Sequence, residues 1–397
     1  MLQQTYAEAL PELSVPFRAE CPPCPEVVFF DEDLGRELDI GPDDVDLLTG
    51  QIDGTFAQAY AGHQFGSPVP VLGDGRAVLL GEVVGADGER QDLHLKGAGR
   101  TPFARGGDGK APLGPMLREA VIGRWLHAIG VPSARILAVL RTGEEIAPRQ
   151  GMQPEVGAMA VRVAASHLRV GTFQYAAWHH DEEVLGRLVD YAIARHHPAA
   201  EGALGLLEAV ARVQAKLVAG WMVAGFVHGV MNTDNMTISG QSIDHGPCAI
   251  LEKHDARAVF SSIDVQGRYA YGNQAGIALW NLCRFAEALH LEAADAVPLL
   301  EQFEGWFEAE RAALVGDADL TGIDGADHVS FLHERGIGPV YAPRNEQLER
   351  ALAAATVGNL EPVHEMLEVM RAPYERRPGL EYLEEPGGEG FVSFCGT

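Results

Sequence analysis

The chain has 397 residues, 47% of them hydrophobic, and a formal net charge of −26. That is enough apolar material for a sizeable core, in one large bilobal unit or two ordinary domains. So acidic a surface repels nucleic acid and anionic membranes, which excludes both as expected partners, and any anionic ligand needs a local cluster of Arg and Lys.

In chain order, the first punctuation is Cys21-Pro22-Pro23-Cys24. A zinc site usually needs a second cysteine pair, and Cys248, Cys283 and Cys395 form none, so these two thiols read as part of a Pro-rich entry segment. Ser67 to Val84 reads as a hairpin turning at Gly73-Asp74-Gly75. Leu93-His94-Leu95-Lys96 alternates apolar and polar residues, as a strand does, and leads into the glycine-rich loops Gly97-Ala98-Gly99-Arg100 and Gly106-Gly107-Asp108-Gly109. A helix follows, with Pro115 suited to its first turn and Gly130 as its stop. Arg135 to Leu140 and Ala158 to Val163 are strand-like. From about residue 182 the apolar residues fall at three- and four-residue steps. Helices are predicted over Glu183 to Arg195, Leu204 to Ala224, Gln274 to Leu289, Val297 to Leu314, Asn345 to Thr356 and Pro362 to Met370. This order predicts an α+β protein with a strand-rich lobe over 1–172, a helical lobe over 173–397 and a site in the cleft between them. The start of the chain lacks a basic segment followed by an apolar one. No apolar run approaches the roughly 20 residues of a membrane span, and the five cysteines are scattered. A cytoplasmic, reducing location is therefore expected.

Chemistry concentrates at a few places. Glycines at 73 and 75 let backbone N–H groups approach phosphates closely, although Gly-Asp-Gly is also an ordinary turn. Lys96 closes a strand, and Glu119 is expected in the first turn of the next helix. A strand Lys held by a helix Glu is how protein kinases aim an ammonium at ATP phosphates; the alternative is a surface Lys and a helix-start Glu favoured by the dipole. The loop His228-Gly229-Val230-Met231-Asn232-Thr233-Asp234-Asn235 lies on the kinase pattern H-R-D-L-x-x-x-N, with His228 and Asn235 at the His and Asn and Val230 where the catalytic Asp would stand. Asp244-His245-Gly246 follows as a version of D-F-G. Asn235 and Asp244 are thus candidate oxygen ligands for Mg²⁺ or Mn²⁺. Valine cannot accept a proton, which leaves either a non-catalytic protein or a base elsewhere. Asp234 is the candidate base, with a turn-capping carboxylate as the alternative. Arg162 and Arg169 sit in an apolar run, where an Arg is costly unless it meets an anion or a structural salt bridge.

These pieces together resemble the selenoprotein O family. The matching stretches are Tyr60 to Gly66, Leu72 to Arg76, Leu95 to Phe103, Arg105 to Gly109, Val161 to Ala164, Gly171 to Phe173, Gly225 to Met236, Gly267 to Tyr271 and Ala278 to Leu282. They span nearly the whole chain, and the loop from Gly225 to Met236 is the most specific. The resemblance implies a two-lobed protein-kinase-like fold that binds ATP in a flipped orientation and transfers AMP to Ser, Thr or Tyr hydroxyls of proteins. It implies that Lys96, Arg162 and Arg169 hold phosphates and Glu119 positions Lys96. Gly73, Gly75, Arg76, Asp108 and Gly109 would line the nucleotide site, Asn235 and Asp244 would hold the metal, and Asp234 would accept the proton. With the α-phosphate as electrophile, the acceptor hydroxyl arrives from elsewhere, which gives Val230 a physical reason. Two other readings stay open: a phosphotransferase moving the γ-phosphate, and a non-catalytic ATP-binding scaffold.

The sequence departs from the family in places. Gly114-Pro115-Met116 stands where members usually have Arg-Ser-Ser, and Phe260 stands where many have a cysteine. A disulfide from position 260 to Cys395 is therefore impossible here.

Overall fold

A computed structural model of the chain describes residues 2–146, 154–388 and 390–393. Its main feature is an antiparallel sheet. In spatial order the strands are Ser14–Pro16, Phe56–Gln58, Ala77–Val84, Arg90–Lys96, Glu155–Ala164, Arg135–Ile146 and Glu26–Phe30, with Ala111–Pro112 attached to Glu155–Ala164. Side chains of successive strand residues point to opposite faces, and each face of this sheet is covered. Helix Leu113–Ala128 lies on one face, packing Leu113, Met116 and Trp125 with Val139, Ala158 and Ala160. Leu34, Leu38 and Leu48, from the short helices Glu32–Leu38 and Val45–Leu48, cover the other face against Leu93, Leu95, Met159 and Val161.

The register decides what lies where. Ala160 is opposite Lys96 and Arg162 opposite His94; directly paired residues share a face. Asp92, His94, Lys96 and Arg162 therefore point to the side of the sheet that carries helix Leu113–Ala128. The polar half of the alternating strand is turned into the molecule.

From Val170 onward the chain is mostly helical: Val170–His179, Glu182–His196, Gly202–Ala224, Gln274–Ala288, Ala293–Leu300, Phe303–Val315, Asn345–Thr356 and Glu361–Arg371 are the principal helices. Phe173, Leu206, Val210, Leu282 and Phe285 belong to the same core that runs beneath helix Leu113–Ala128. Gly225, at φ +70°, ends the long helix in the left-handed conformation that glycine adopts without strain. The mixed α/β composition with an antiparallel sheet agrees with the α+β expectation. No helix among the described residues is long and apolar enough to cross a membrane.

Three local expectations are corrected. Ser67–Val69 pairs with Gly62–Gln64, and Ala77–Val84 pairs with Arg90–Lys96. Gly73-Asp74-Gly75 is thus the connection between two separate hairpins, because each flanking strand finds a longer or closer partner elsewhere. Helix Leu113–Ala128 begins before Pro115, which puts Glu119 in its second turn. Val297 to Leu314 is two helices, Ala293–Leu300 and Phe303–Val315. Pro298 removes one helical hydrogen bond, and the chain turns just after it at Glu301 and Gln302.

Candidate functional site

The site starts from one buried cation. Lys96 Nζ donates to Glu119 Oε1 and lies 3.0 Å from Asp244 Oδ1. Glu119 is only 1% exposed and would be costly there alone. Burial pushes its carboxyl upward, but Lys96 and then Arg162 outweigh that and hold it below the usual range. Burial likewise acts upward on Asp244, and Lys96, Arg76 and Arg162 hold it well below the carboxylate range. Both acids are therefore ionised at neutral pH, around an ammonium they share.

Arg162 and Arg169 stand beside this group. Arg162 Nη1 is 3.9 Å from Glu119 Oε2. Its Nε donates to His167 Nε2 at 3.0 Å, and its Nη2 lies 3.3 Å from His94 Nδ1. Arg169 Nε donates to the His167 carbonyl at 3.0 Å and Nη1 to the Asp234 carbonyl at 3.3 Å. The Arg169 guanidinium stacks 4.1 Å from the Tyr60 ring centroid, and its Nη2 is buried with no hydrogen-bond partner. Among the described residues neither arginine forms the close structural salt bridge that the residues alone left open; Arg162 has a long contact to a carboxylate already engaged by Lys96.

The loop after Gly225 supplies the remaining groups. His228 Nε2 bonds the Ile243 carbonyl at 3.0 Å and so ties this loop to the Asp244 segment. Val230 is buried. Asn235 Nδ2 donates to the Val230 carbonyl at 3.0 Å and lies 3.4 Å from Asp244 Oδ2. Asp244 adopts a left-handed backbone, φ +62°, a strained state for a non-glycine residue of the kind found at functional sites. Asp234 is 8% exposed; Gln64 Nε2 lies 3.4 Å from its Oδ2, and its Oδ1 has no partner. Burial pushes the Asp234 carboxyl up to about 6, against weaker opposing effects that include Arg169. A Cβ at Gly62 would come within 2.5 Å of Asp234 Oδ1, so only glycine lets that strand pass the carboxylate.

Among the described residues no group of three or more His, Cys, Asp or Glu side chains gathers as a metal cage. The donors present, a carboxamide and a carboxylate beside buried cations, fit Mg²⁺ or Mn²⁺. Mg²⁺ in particular takes most of its oxygens from water and substrate phosphates.

The glycine-rich segments are less tightly gathered. The backbone carbonyl of Arg76 accepts from Gly97 and Ala98 at 2.8 and 3.0 Å, and the charge of Arg76 reaches Asp244. Gly73 sits under the Phe103 ring, where a Cβ would clash. Gly75 follows in the same turn, its N–H bonded to the Gly73 carbonyl at 2.8 Å. Gly109, at φ +73°, packs directly on the Gly99 carbonyl. Asp108 is exposed and accepts from the Lys110 N–H at 3.0 Å; the structure does not bring it into the Lys96 cluster. Sequence reasoning missed Asp74, Asp92, His94 and His167. The signal was available, since Asp92 and His94 share the alternating strand with Lys96, and His167 falls between the two arginines.

The family model described as protein adenylyltransferase SelO matches residues 29–317. The chain belongs to the SelO family. Relatives named protein nucleotidyltransferase YdiU match it end to end. The one from Mycobacterium sp. (strain KMS) is 44% identical over 479 aligned positions, covering 100% of this chain and 99% of the relative. The one from Chromobacterium violaceum is 42% identical over 481 positions, covering 98% and 100%. The one from Pseudarthrobacter chlorophenolicus is 44% identical, covering 99% and 97%. With 397 residues set against 479 positions, this SelO chain lacks internal segments that the first relative carries. SelO members are thus protein nucleotidyltransferases, and this chain is an enzyme of that class.

Proposed function

We propose that the protein transfers AMP from ATP to a Ser, Thr or Tyr hydroxyl of a protein substrate and releases pyrophosphate. We propose further that residues 1–172 and 173–397 act as the two lobes of a kinase-like fold, with the nucleotide between them. The observation that carries this reading is the gathering of Lys96, Arg162, Asn235 and Asp244 around one point, with Arg169 and Asp234 adjoining, while Val230 occupies the usual base position. Lys96, Arg162 and Arg169 neutralise the triphosphate, and Glu119 holds Lys96 in place. Gly73, Gly75, Arg76 and Gly109 shape the nucleotide-binding edge; Asp108 belongs to it only if its exposed loop closes on the nucleotide. Asn235 and Asp244 would hold Mg²⁺ or Mn²⁺, which supplies positive charge to the phosphate oxygens.

The acceptor oxygen attacks the α-phosphorus and forms the new P–O bond. The bond from the α-phosphorus to the bridging oxygen breaks, and pyrophosphate leaves with that oxygen. Asp234 takes the hydroxyl proton. The guanidinium groups of Arg162 and Arg169 stabilise the charge that develops on the leaving group.

Parallel incubations with α-labelled and γ-labelled ATP test this. Label from the α-position should appear on protein, and γ-label should appear in pyrophosphate. Protein carrying only the γ-label would establish phosphotransfer instead. ATP and metal binding with neither label transferred to any lysate protein would establish a scaffold.

A further inference from the structure

A buried guanidinium usually finds a carboxylate. Among the described residues Arg162 has only the long 3.9 Å contact of its Nη1 to Glu119 Oε2; its hydrogen bonds go to two imidazoles, and they leave little freedom. A ring nitrogen that accepts from Arg162 carries no proton, so the proton sits on the other nitrogen. In His94 the acceptor is Nδ1, so Nε2 carries the proton and donates to Asp74 Oδ2 at 3.0 Å. In His167 the acceptor is Nε2, so Nδ1 carries the proton and donates to Asp92 Oδ2 at 3.2 Å. The two rings hold opposite tautomers, each set by its own carboxylate.

Each carboxylate is itself fixed. Asp92 accepts from Arg195 at 2.7 Å and from the His167 N–H at 2.9 Å. Asp74 accepts from the Gln58 N–H at 2.9 Å and lies inside the Gly73–Gly75 turn. The rings stack 4.2 Å apart at 18°, an arrangement that suits two neutral imidazoles and opposes two charged ones. Burial, against Asp74, and then Arg162 and Arg169 keep His94 below its ordinary pKa; burial, His94 and the arginines keep His167 well below it.

We infer that His94 and His167 are positioning residues, a pair of neutral acceptors that hold one edge of the Arg162 guanidinium and leave its Nη1 edge for the triphosphate. This rests on the reading of Arg162 as a phosphate ligand. The chemistry explains why imidazole stands there. A carboxylate hydrogen-bonded at either position, in addition to the distant Glu119, would neutralise Arg162 and compete with phosphate for it. A neutral acceptor fixes the same geometry and adds no negative charge to that which Glu119 already places beside Arg162. Asp74 also ties the clamp to the glycine turn, so one network aligns the turn and the arginine.

Long-range ¹⁵N–¹H spectra of the full chain labelled at histidine read the tautomers directly. At neutral pH His94 should carry its proton on Nε2 and His167 on Nδ1; the reverse assignment, or an imidazolium at either position, overturns the inference. Substitution adds a positional test. A Gln side chain presents an acceptor near the place of Nε2, and Asn near that of Nδ1. His167→Gln should keep kcat/KM for ATP within a few-fold, while His167→Asn and His167→Leu should lose about 10²-fold, the scale of a misplaced catalytic contact. Comparable melting temperatures for the variants separate this from loss of fold. Equal activity in the Gln, Asn and Leu variants also overturns the clamp. Arg162→Ala is the control for the underlying reading: unchanged ATP dependence in that variant refutes phosphate binding by Arg162, whatever the histidines do.

Discussion

Replacing Asp234 with Asn separates what the carboxylate contributes to chemistry from what it costs the fold. Burial raises the Asp234 carboxyl from its ordinary 3.8 to about 6. Every tenfold weakening of an acid is worth about 1.36 kcal/mol, so holding the ionised form in the folded protein at pH 8 costs about 3 kcal/mol. Between these two values the folded chain keeps a proton that the unfolded chain has lost. Its contribution to stability is therefore present at low pH and disappears as pH rises through about 6. The carboxamide that replaces it cannot ionise. In metal-free, nucleotide-free protein, Asp234→Asn should be more stable than wild type at pH 8 by up to about 3 kcal/mol, and the gain should close toward pH 4. Thermal or urea unfolding across that range measures it. The same variant should transfer AMP about 10²- to 10⁴-fold more slowly, the usual contribution of a general base, with ATP binding by calorimetry preserved. A gain that is absent, or equal at both pH values, refutes the buried-charge account. Undiminished transfer refutes the role of Asp234 as proton acceptor.

Asp244→Ala should abolish metal-dependent transfer, because the proposed carboxylate ligand is lost and Lys96 loses one of its two partners; full activity at any Mg²⁺ or Mn²⁺ concentration contradicts the proposed site. Lys96→Met leaves Glu119 buried without its closest cation and should cost about 3–5 kcal/mol in denaturant unfolding. Adding Glu119→Gln should recover much of that loss, and a second variant no more stable than the first contradicts the pairing. Gly109→Ala puts a methyl against the Gly99 carbonyl at a positive φ. It should lower the melting temperature and raise the KM for ATP together, and an unchanged melting temperature rules out the close packing of the two glycine loops.

Much of the fold was legible because local signals agreed with one another. Asn345–Thr356 and Gln274–Ala288 appear within a residue of their predicted ends, since their apolar periodicity and their neighbours give the same answer. The Lys96–Glu119 pair was legible from strand and helix order, and Asn235 and Asp244 from their spacing after His228. Strand pairing was not legible. Nothing local to Ser67–Val69 says that it turns back on Gly62–Gln64 while Ala77–Val84 reaches forward to Arg90–Lys96. The turn residues at Gly73 to Gly75 fit either arrangement, and non-local packing made the choice.

The strand Asp92-Leu93-His94-Leu95-Lys96 shows why a site can be visible in a sequence and still be misread. Strict alternation ordinarily means one face in the core and one in water. Here Asp92, His94 and Lys96 are all buried. A buried polar face is tolerable only when every member is paired. Asp92 is held by Arg195 and His167, His94 by Asp74 and Arg162, and Lys96 by Glu119 and Asp244. Most of these partners come from distant parts of the chain, so the pairing becomes visible only in three dimensions. Among the described residues, the buried atoms that lack hydrogen-bond partners include Arg169 Nη2, Asp234 Oδ1 and Glu119 Oε2. Further such atoms lie elsewhere, on Arg141, Arg268 and Arg344 among others, so an open buried atom supports the proposed site only in company with the contacts that join Lys96, Glu119, Arg162, Asn235 and Asp244.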